Sequence, residues 1–203
     1  NYMKDPQLIE IESQKLTADK VWEACYKVEE EEKMQTLMDL TVVEQPESCM
    51  IFANTKDQVD RVYETLKAND YPVRRIHGGM EQKERFAVMA DFRKGYFRYL
   101  VATDVAARGI DIDHVTHVIN VDVPENKENY VHRIGRTGRG GRSGKSMLLV
   151  SERENYFLKE IEAYIHHAIP VCQRPRPEEV INHQEAFETK MGVPMEKVAS
   201  KGE

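Results

Sequence analysis

The chain has 203 residues, and its 29 Lys and Arg against 35 Asp and Glu give a formal net charge of −6. This length favours one domain of about 150 residues with flanking segments. Hydrophobic residues make up 40% of the chain, which excludes a wholly disordered protein. No run approaches the length of a membrane span, and the N-terminus lacks a secretory-signal pattern. Three widely spaced cysteines (Cys25, Cys49 and Cys172) indicate reduced thiols in a cytoplasmic protein.

Charge is unevenly distributed along the chain. Residues 1–35 contain nine acids and five bases, whereas residues 132–146 contain five bases and no acid. An acidic protein binds nucleic acid poorly through its net charge, so any contact with a polyanion must be local. The basic segment is therefore the first candidate for such a contact.

The predicted elements alternate between short apolar runs and amphipathic helices. Strands are predicted at 21–28, 50–52, 99–103, 117–120 and 147–150. Apolar residues spaced three and four apart predict helices around 34–42, 59–66, 86–90 and 157–165, and a further helix is predicted over 127–133. Apolar strands that alternate with helices are typical of a parallel sheet covered on both faces, so the predicted fold class is α/β.

The two ends of the chain differ from this alternating region. Residues 1–20 are polar and are predicted to be a linker leading into the first strand. Residues 21–169 form the predicted α/β domain. Residues 170–203 open with three prolines and continue with polar residues, which predicts a flexible or partly helical extension.

The segment HRIGRTGR at 132–139 spaces arginines three apart among glycines. Guanidinium forks suit phosphate oxygens, and glycine permits close backbone approach. A solvated basic loop is the alternative, although the preceding predicted helix favours an ordered position. The nearby Gly144-Lys145-Ser146 ends like a P-loop, but Arg139 occupies the position of the required glycine and a strand follows.

The segment ATDVAARGID at 102–111 begins where a predicted strand ends, the edge at which open α/β sheets bind ligands. Thr103 offers a hydroxyl group, Arg108 a charge, Gly109 close backbone approach and Asp111 an acceptor for a ribose. Helix capping by Asp104 and Gly109 is the alternative interpretation, and it is the stronger one for this segment taken alone.

Two further segments carry polar residues at the ends of predicted elements. Thr55 suits either a helix N-cap or a phosphate contact. Gly79 precedes a helix bearing Gln82 and Arg85, and a helix N-terminus favours anions. Ordinary polar residues on an amphipathic helix are an equal alternative for this pair. No metal site is predicted, because the adjacent His166 and His167 point apart on a helix and lack further ligands.

In this order, these segments resemble the C-terminal RecA-like half of DEAD-box ATP-dependent RNA helicases. Four segments are similar to motifs IV, IVa, V and VI of that family: IFANT (51–55), QKER (82–85), ATDVAARGID (102–111) and HRIGRTGR (132–139). The phrase VINVDVP (118–124) also fits. The resemblance covers about residues 8–168 and implies a RecA-like three-layer sandwich, with a mainly parallel central sheet and helices on both faces.

The resemblance also implies roles for the matching residues. Arg136 and Arg139 would reach ATP phosphates as arginine fingers, and Gly109 and Asp111 would meet the nucleotide, Asp111 at its ribose. The RNA backbone would contact five residues: Thr55, Gly79, Gln82, Arg85 and Thr103. Arg108 and His132 would couple this half to the other half of the enzyme. ATP would bind with Mg²⁺ held mainly by the other half.

The P-loop, the DEAD sequence and the adenine-reading Q motif of the family do not occur in these 203 residues. In the family they belong to the N-terminal half, so we expect this chain to be inactive alone and to require that domain as a partner. The helix after motif VI and the tail segments PRPEEV (175–180) and EAFETK (185–190) are similar to the DbpA/YxiN subgroup, which implies a role in ribosome assembly or in RNA remodelling and turnover. RNA, including ribosomal RNA, is the expected partner, and no membrane association is expected.

Three other functions remain open at this point. A self-sufficient P-loop NTPase would need a phosphate loop at 138–146, which the spacing disfavours. An RNA-binding module that never closes on ATP would not need Arg136 or Arg139. A DNA helicase of the same superfamily would act on DNA duplexes instead of RNA.

Overall fold

The computed structural model describes residues 8–10, 20–108, 115–138 and 144–192. Seven strands form one sheet: β1 (Leu8–Glu10), β2 (Lys20–Lys27), β3 (Cys49–Phe52), β4 (Val73–Ile76), β5 (Tyr99–Ala102), β6 (His117–Asn120) and β7 (Gly144–Val150). Their spatial order is β1-β2-β7-β6-β3-β5-β4. All neighbouring strands pair in parallel except β1, which pairs antiparallel to β2.

In the described segments, seven α-helices cover the two faces of this sheet: α1 (Lys33–Glu44), α2 (Lys56–Ala68), α3 (Gln82–Arg93), α4 (Asp104–Ala107), α5 (Lys127–Ile134), α6 (Asn155–Ile165) and α7 (Pro177–Met191). Helices α1, α2 and α7 share a core with one face. Helices α3 and α4 pack against the other face, and α5 and α6 form a third cluster with β2 and β7. The predicted α/β sandwich with a mainly parallel sheet is confirmed.

The central strands are apolar throughout because both of their faces are buried. In β3, Ile51 belongs to the core beneath α1 and α2, whereas its neighbours Met50 and Phe52 belong to the core beneath α3 and α4. Side chains alternate between the two faces of a strand, so a sheet with helices on both sides needs apolar residues at every position.

The structure differs from the sequence-based prediction at strand β4 and at Phe86. Strand β4 was not predicted from the sequence, because Arg74 and Arg75 interrupt its apolar character. It lies at the edge of the sheet and buries only its two end residues, Val73 and Ile76. The helical pattern placed Phe86 on the apolar face, which is wrong, because its side chain is 54% exposed. The buried face of α3 is formed by Val88, Met89 and Phe92.

The extension after Ile169, predicted as flexible or partly helical, is folded as far as residue 192 and contains α7. The backbone N–H of Cys25 donates to the carbonyl of Pro170 at 2.8 Å, and the N–H of Cys172 donates back to the Cys25 carbonyl at 2.8 Å. These two bonds satisfy backbone groups of β2 on the side that faces away from β7. Fewer unpaired backbone groups are then left for pairing with another chain. The division of the chain at residues 20 and 170 stays a prediction.

Helix α7 is mostly polar in composition, but it packs against the domain through a few apolar residues. The ring of Phe187 lies 5.4 Å from that of Tyr71, and Val180 and Met191 contact the same core. Pro177 occupies the first turn, where its fixed backbone angle suits a helix start. None of the helices in the described segments is both long and apolar enough to span a membrane.

A buried carboxylate joins β2 to the end of α6. Glu23 is fully buried and accepts hydrogen bonds from the Tyr130 hydroxyl at 2.5 Å and from His167 Nε2 at 2.7 Å. The other ring nitrogen of His167 lies 3.1 Å from the Ile165 carbonyl. Because both ring nitrogens face acceptors, the arrangement favours the imidazolium form. The hydrogen bond to Glu23 raises the pKa of His167 above its usual 6.5.

A group with a raised folded-state pKa stabilises the protein below its unfolded pKa, and this contribution is lost as pH rises through the folded value. We therefore expect His167→Asn to lower the free energy of unfolding by about 1 kcal/mol near pH 5.5 and by much less near pH 9. Urea unfolding of the 203-residue chain measures both values. The control His166→Asn, at the exposed neighbouring position, should show little effect at either pH. A loss that does not vary with pH would show that the ring binds Glu23 in its neutral form.

Candidate functional site

The predicted RNA-contacting residues gather at the carboxyl edge of three neighbouring strands. Strands β3, β5 and β4 are adjacent and parallel, so the residues that follow them emerge at the same edge. Thr55 follows β3, Thr103 follows β5, and Gly79 follows β4. The sheet topology therefore brings together three residues that are far apart in sequence, at the edge where α/β proteins bind ligands.

Thr55 and Thr103 each cap the helix that follows. The Thr55 hydroxyl accepts from the N–H of Gln58 at 3.1 Å, and the Thr103 hydroxyl accepts from the N–H of Ala106 at 3.3 Å. The alternative prediction that Asp104 is the N-cap is therefore wrong by one residue. A hydroxyl that accepts a capping bond retains its own O–H, which is free to donate to a phosphate oxygen. Capping and phosphate binding are thus compatible.

The loop before α3 is closely packed at Gly79, whereas the first residue of α3 is exposed. The N–H of Gly79 donates to His77 Nδ1 at 3.1 Å, and a Cβ atom at Gly79 would lie 3.2 Å from both the His77 ring and Lys56 Cδ. Gln82 begins α3 and is exposed. The Nε atom of Arg85 is buried without a hydrogen-bond partner in the described segments. A buried unpaired donor is uncommon in a folded protein.

Arg133 is buried beneath this edge, with 1% of its surface exposed. Its Nε and Nη2 atoms each donate to one carboxylate oxygen of Asp104 at 2.7 Å. The remaining N–H groups donate to Asn54 Oδ1 at 2.7 Å, Asn120 Oδ1 at 3.3 Å and the Asp122 carbonyl at 2.9 Å. All five guanidinium donors are therefore satisfied, as a buried charge requires.

These bonds join three segments that carry site residues. Asn54 immediately precedes Thr55, Asp104 immediately follows Thr103, and Arg133 lies three residues before Arg136. The sequence predicted Arg133 only as one member of a cationic segment, so its central position was missed. Its spacing of three from the buried Tyr130 is the signal that would have placed it on the inner side of α5.

A buried lysine extends this polar network toward α1. Lys33 Nζ lies 2.6 Å from Glu154, 3.3 Å from Glu30 and 3.5 Å from Asp122. The other carboxylate oxygen of Asp122 accepts from the N–H of Asn54 at 2.9 Å. Asp122 thus links the Lys33 cluster to the loop that holds Thr55.

Arg136 contacts the end of α4. Its Nη2 atom donates to the carbonyl of Ala107 at 2.8 Å, and its own carbonyl accepts from the N–H of Val115. Arg108 and His132 are exposed. The predicted site residues Gly109, Asp111 and Arg139 lie outside the described residues. Within the described segments, no cluster of His, Cys, Asp or Glu has the arrangement of a metal site.

Comparison with known proteins identifies the family. Residues 32–141 match the helicase conserved C-terminal domain. The ATP-dependent RNA helicase DbpA of Bacillus subtilis is 45% identical over 190 residues, which cover 94% of this chain and 40% of that protein. The chain belongs to the C-terminal RecA-like domains of DEAD-box RNA helicases. The chain spans about 40% of the length of the curated relatives that it matches.

Solved structures of DEAD-box proteins share the fold of this domain. Saccharomyces cerevisiae Dbp5 bound to RNA and ADP BeF3 gives a TM-score of 0.68 at 31% identity, over 83% of this chain and 44% of that chain. Domain 2 of the Mss116p DEAD-box helicase, bound to an RNA duplex, gives 0.67 at 27% identity, over 83% of this chain and 68% of that chain. The family membership predicted from the four motifs is thereby confirmed.

Replacing Arg133 tests the importance of the buried network in this helicase domain. Arg133→Met keeps much of the side-chain volume but leaves Asp104 and two asparagine oxygens without their donor. Because an uncompensated buried charge is costly, we expect the free energy of unfolding to fall by about 3–5 kcal/mol. Urea unfolding followed by circular dichroism measures the change.

The matched control is Arg93→Met, at an exposed position near the end of α3, which should change stability by about 0.5 kcal/mol or less. Arg133→Lys, which retains a charge but not the planar fork, should lie between the two. Equal stability of the Arg133 and Arg93 variants would refute the importance of the network.

Proposed function

We propose that this domain forms one wall of a composite ATP and RNA site in a longer DEAD-box helicase that locally unwinds RNA. The single observation behind the proposal is the position of α4. Thr103 caps the start of this short helix, Arg133 holds its first residue, and Arg136 binds the carbonyl at its end. One helical turn therefore joins the proposed RNA contact to the proposed nucleotide contact.

The proposed nucleotide wall consists of Arg136, Arg139, Gly109 and Asp111. In the assembled enzyme the two arginines would act as fingers on the transferring phosphoryl group of ATP, where charge develops in the transition state. Gly109 and Asp111 would contact the nucleotide, with Asp111 at the ribose. The N-terminal RecA-like domain of the same protein would hold most of the ATP and its Mg²⁺. His132 and Arg108, both exposed, are available to contact that domain.

The proposed RNA wall consists of Thr55, Gly79, Gln82, Arg85 and Thr103. Hydroxyl groups, a side-chain amide and a guanidinium group are suited to phosphate and sugar, so little sequence preference is expected. This composition also accounts for RNA binding by an acidic chain, since the contacts are local. The Dbp5 and Mss116p structures, which contain RNA, support an RNA ligand for this wall.

ATP and RNA would together close the two RecA-like domains, and closure would bring the arginine fingers to the phosphates. Bending of the bound strand would displace its partner strand, and phosphate release would reopen the cleft. Similarity to the DbpA/YxiN subgroup supports RNA remodelling in ribosome assembly, in the cytoplasm, as the biological setting. A joined two-domain protein is required for turnover under this proposal.

RNA-stimulated ATP turnover tests the composite site. We expect the 203-residue chain alone to be inactive, and the chain fused to a matching DEAD-containing domain to be active. In the fusion, Arg136→Ala should reduce turnover about 10³-fold, because an arginine finger stabilises transition-state charge. Arg93→Ala is the matched control and should retain activity. Turnover by the chain alone would overturn the proposal, and full activity of the Arg136 variant would favour a module without ATP-coupled closure.

Thr55→Asp separates the capping role from the RNA role. Aspartate is as good an N-cap as threonine, so stability should change by about 0.5 kcal/mol or less. Its negative charge would face RNA phosphates, so RNA affinity of the fusion should fall more than about tenfold. Fluorescence anisotropy with labelled single-stranded RNA measures this affinity. The control Thr189→Asp adds the same charge at an exposed position of α7, and an equal effect of both variants would contradict a local contact at Thr55.

A further inference from the structure

A cleft of about 390 Å³ lies beside Thr55, on the side away from the other proposed RNA contacts. Its walls come from the starts of α2 and α6 and from the loop after β6. Strand β6 neighbours β3 on the side opposite to β5, so the cleft continues the line of the carboxyl edge past Thr55. Its volume falls within the range of about 300–1,000 Å³ that is common for small-ligand pockets.

Most carboxylates that line the cleft are already paired. Glu154, Glu30 and Asp122 share the ammonium group of Lys33, and Arg153 also binds Glu30 at 3.2 Å. Glu125 also lines the cleft, so four carboxylates face three bases (Lys33, Arg61 and Arg153) and the lining keeps one formal negative charge. Such a lining does not favour a free multivalent anion or a free metal ion, and it suits a neutral polar ligand.

The lining also has the groups that contact a flat heterocycle. Phe157 supplies an aromatic ring and Val123 an apolar contact. Gln58 supplies an amide whose nitrogen lies 3.5 Å from Asp122 and whose oxygen has no partner in the described segments. An amide presents both donors and an acceptor, and an aromatic ring accepts any base by stacking.

Arg61 lies at the rim, one and a half turns beyond Thr55 on α2, and lines the same cleft. It forms no ion pair within the part of the chain that the structure describes. A guanidinium group there can bind the phosphate of a nucleotide whose base enters the cleft.

We infer that this cleft binds one unpaired nucleobase of the RNA strand whose backbone contacts Thr55. The inference rests on the proposed RNA wall and extends it by one nucleotide, adding a base contact to a set of backbone contacts. The base lies against Phe157, its edge faces the Gln58 amide, and Arg61 faces its phosphate. Stacking on a ring accepts all four bases, so the contact holds the strand without selecting a sequence.

A set of fluorescein-labelled single-stranded RNAs, each with one abasic nucleotide at a successive position, tests this inference. The affinity of the chain fused to a matching DEAD-containing domain, in which both walls of the proposed RNA site are present, is measured by anisotropy. We expect one abasic position to weaken binding about tenfold, because one stacked base is lost. Phe157→Leu should weaken binding of intact RNA by a similar factor and should abolish the difference between intact RNA and RNA abasic at that position.

Leucine at position 157 retains the apolar contact with the α6 core, and circular dichroism verifies the fold. The matched control is Tyr96→Leu, an aromatic residue that is 41% exposed and lies outside the cleft. The Tyr96→Leu variant should keep both the RNA affinity and the abasic penalty of the unmodified fusion protein.

The outcomes separate this inference from the proposed function. RNA binding that falls in the Arg85→Gln variant but shows no position-specific abasic penalty would overturn the cleft and retain the RNA wall. An abasic penalty that persists in Phe157→Leu would place the stacked base elsewhere and would also overturn the inference. Absence of RNA binding by the unmodified fusion protein would overturn both.

Discussion

The site depends on one buried arginine with five satisfied donors. Arg133 binds Asp104 through two hydrogen bonds and reaches the ends of β3 and β6 with the others. A guanidinium group buried to this extent is tolerated only when every N–H has a partner. Its partners are therefore held at defined positions, and those positions set where Thr55 and Thr103 emerge from the sheet.

The two threonines combine a structural role with a proposed ligand contact. Each caps a helix through its oxygen and keeps its hydroxyl proton for another acceptor. The helix start adds backbone N–H groups and a partial positive charge at the same place. An acidic chain can thus present a local surface suited to phosphate while its net charge remains −6.

Buried charges divide the carboxyl edge into two regions of different chemistry. Arg133 and Arg136 lie beneath or beside α4, where the proposed ATP and RNA contacts meet. Lys33 pairs with three carboxylates near the start of α6, so the cleft beside Phe157 is lined mainly by paired groups and has no excess of positive charge. The first region suits phosphate and the second suits a base, so adjacent parts of one edge complement the two components of a nucleotide.

The sequence by itself determined the fold class and the family, because apolar strand runs, helical spacing and four ordered motifs are local patterns. It also placed Thr55 and Thr103 at strand ends. Only the tertiary structure decided that Arg133 is a buried centre, that Phe86 is exposed and that α7 packs through Phe187. The physical reason is that these outcomes depend on which strands are neighbours. Strand order brings Asn54, Asp104 and Asp122 to Arg133 across distances in the chain that no local pattern spans.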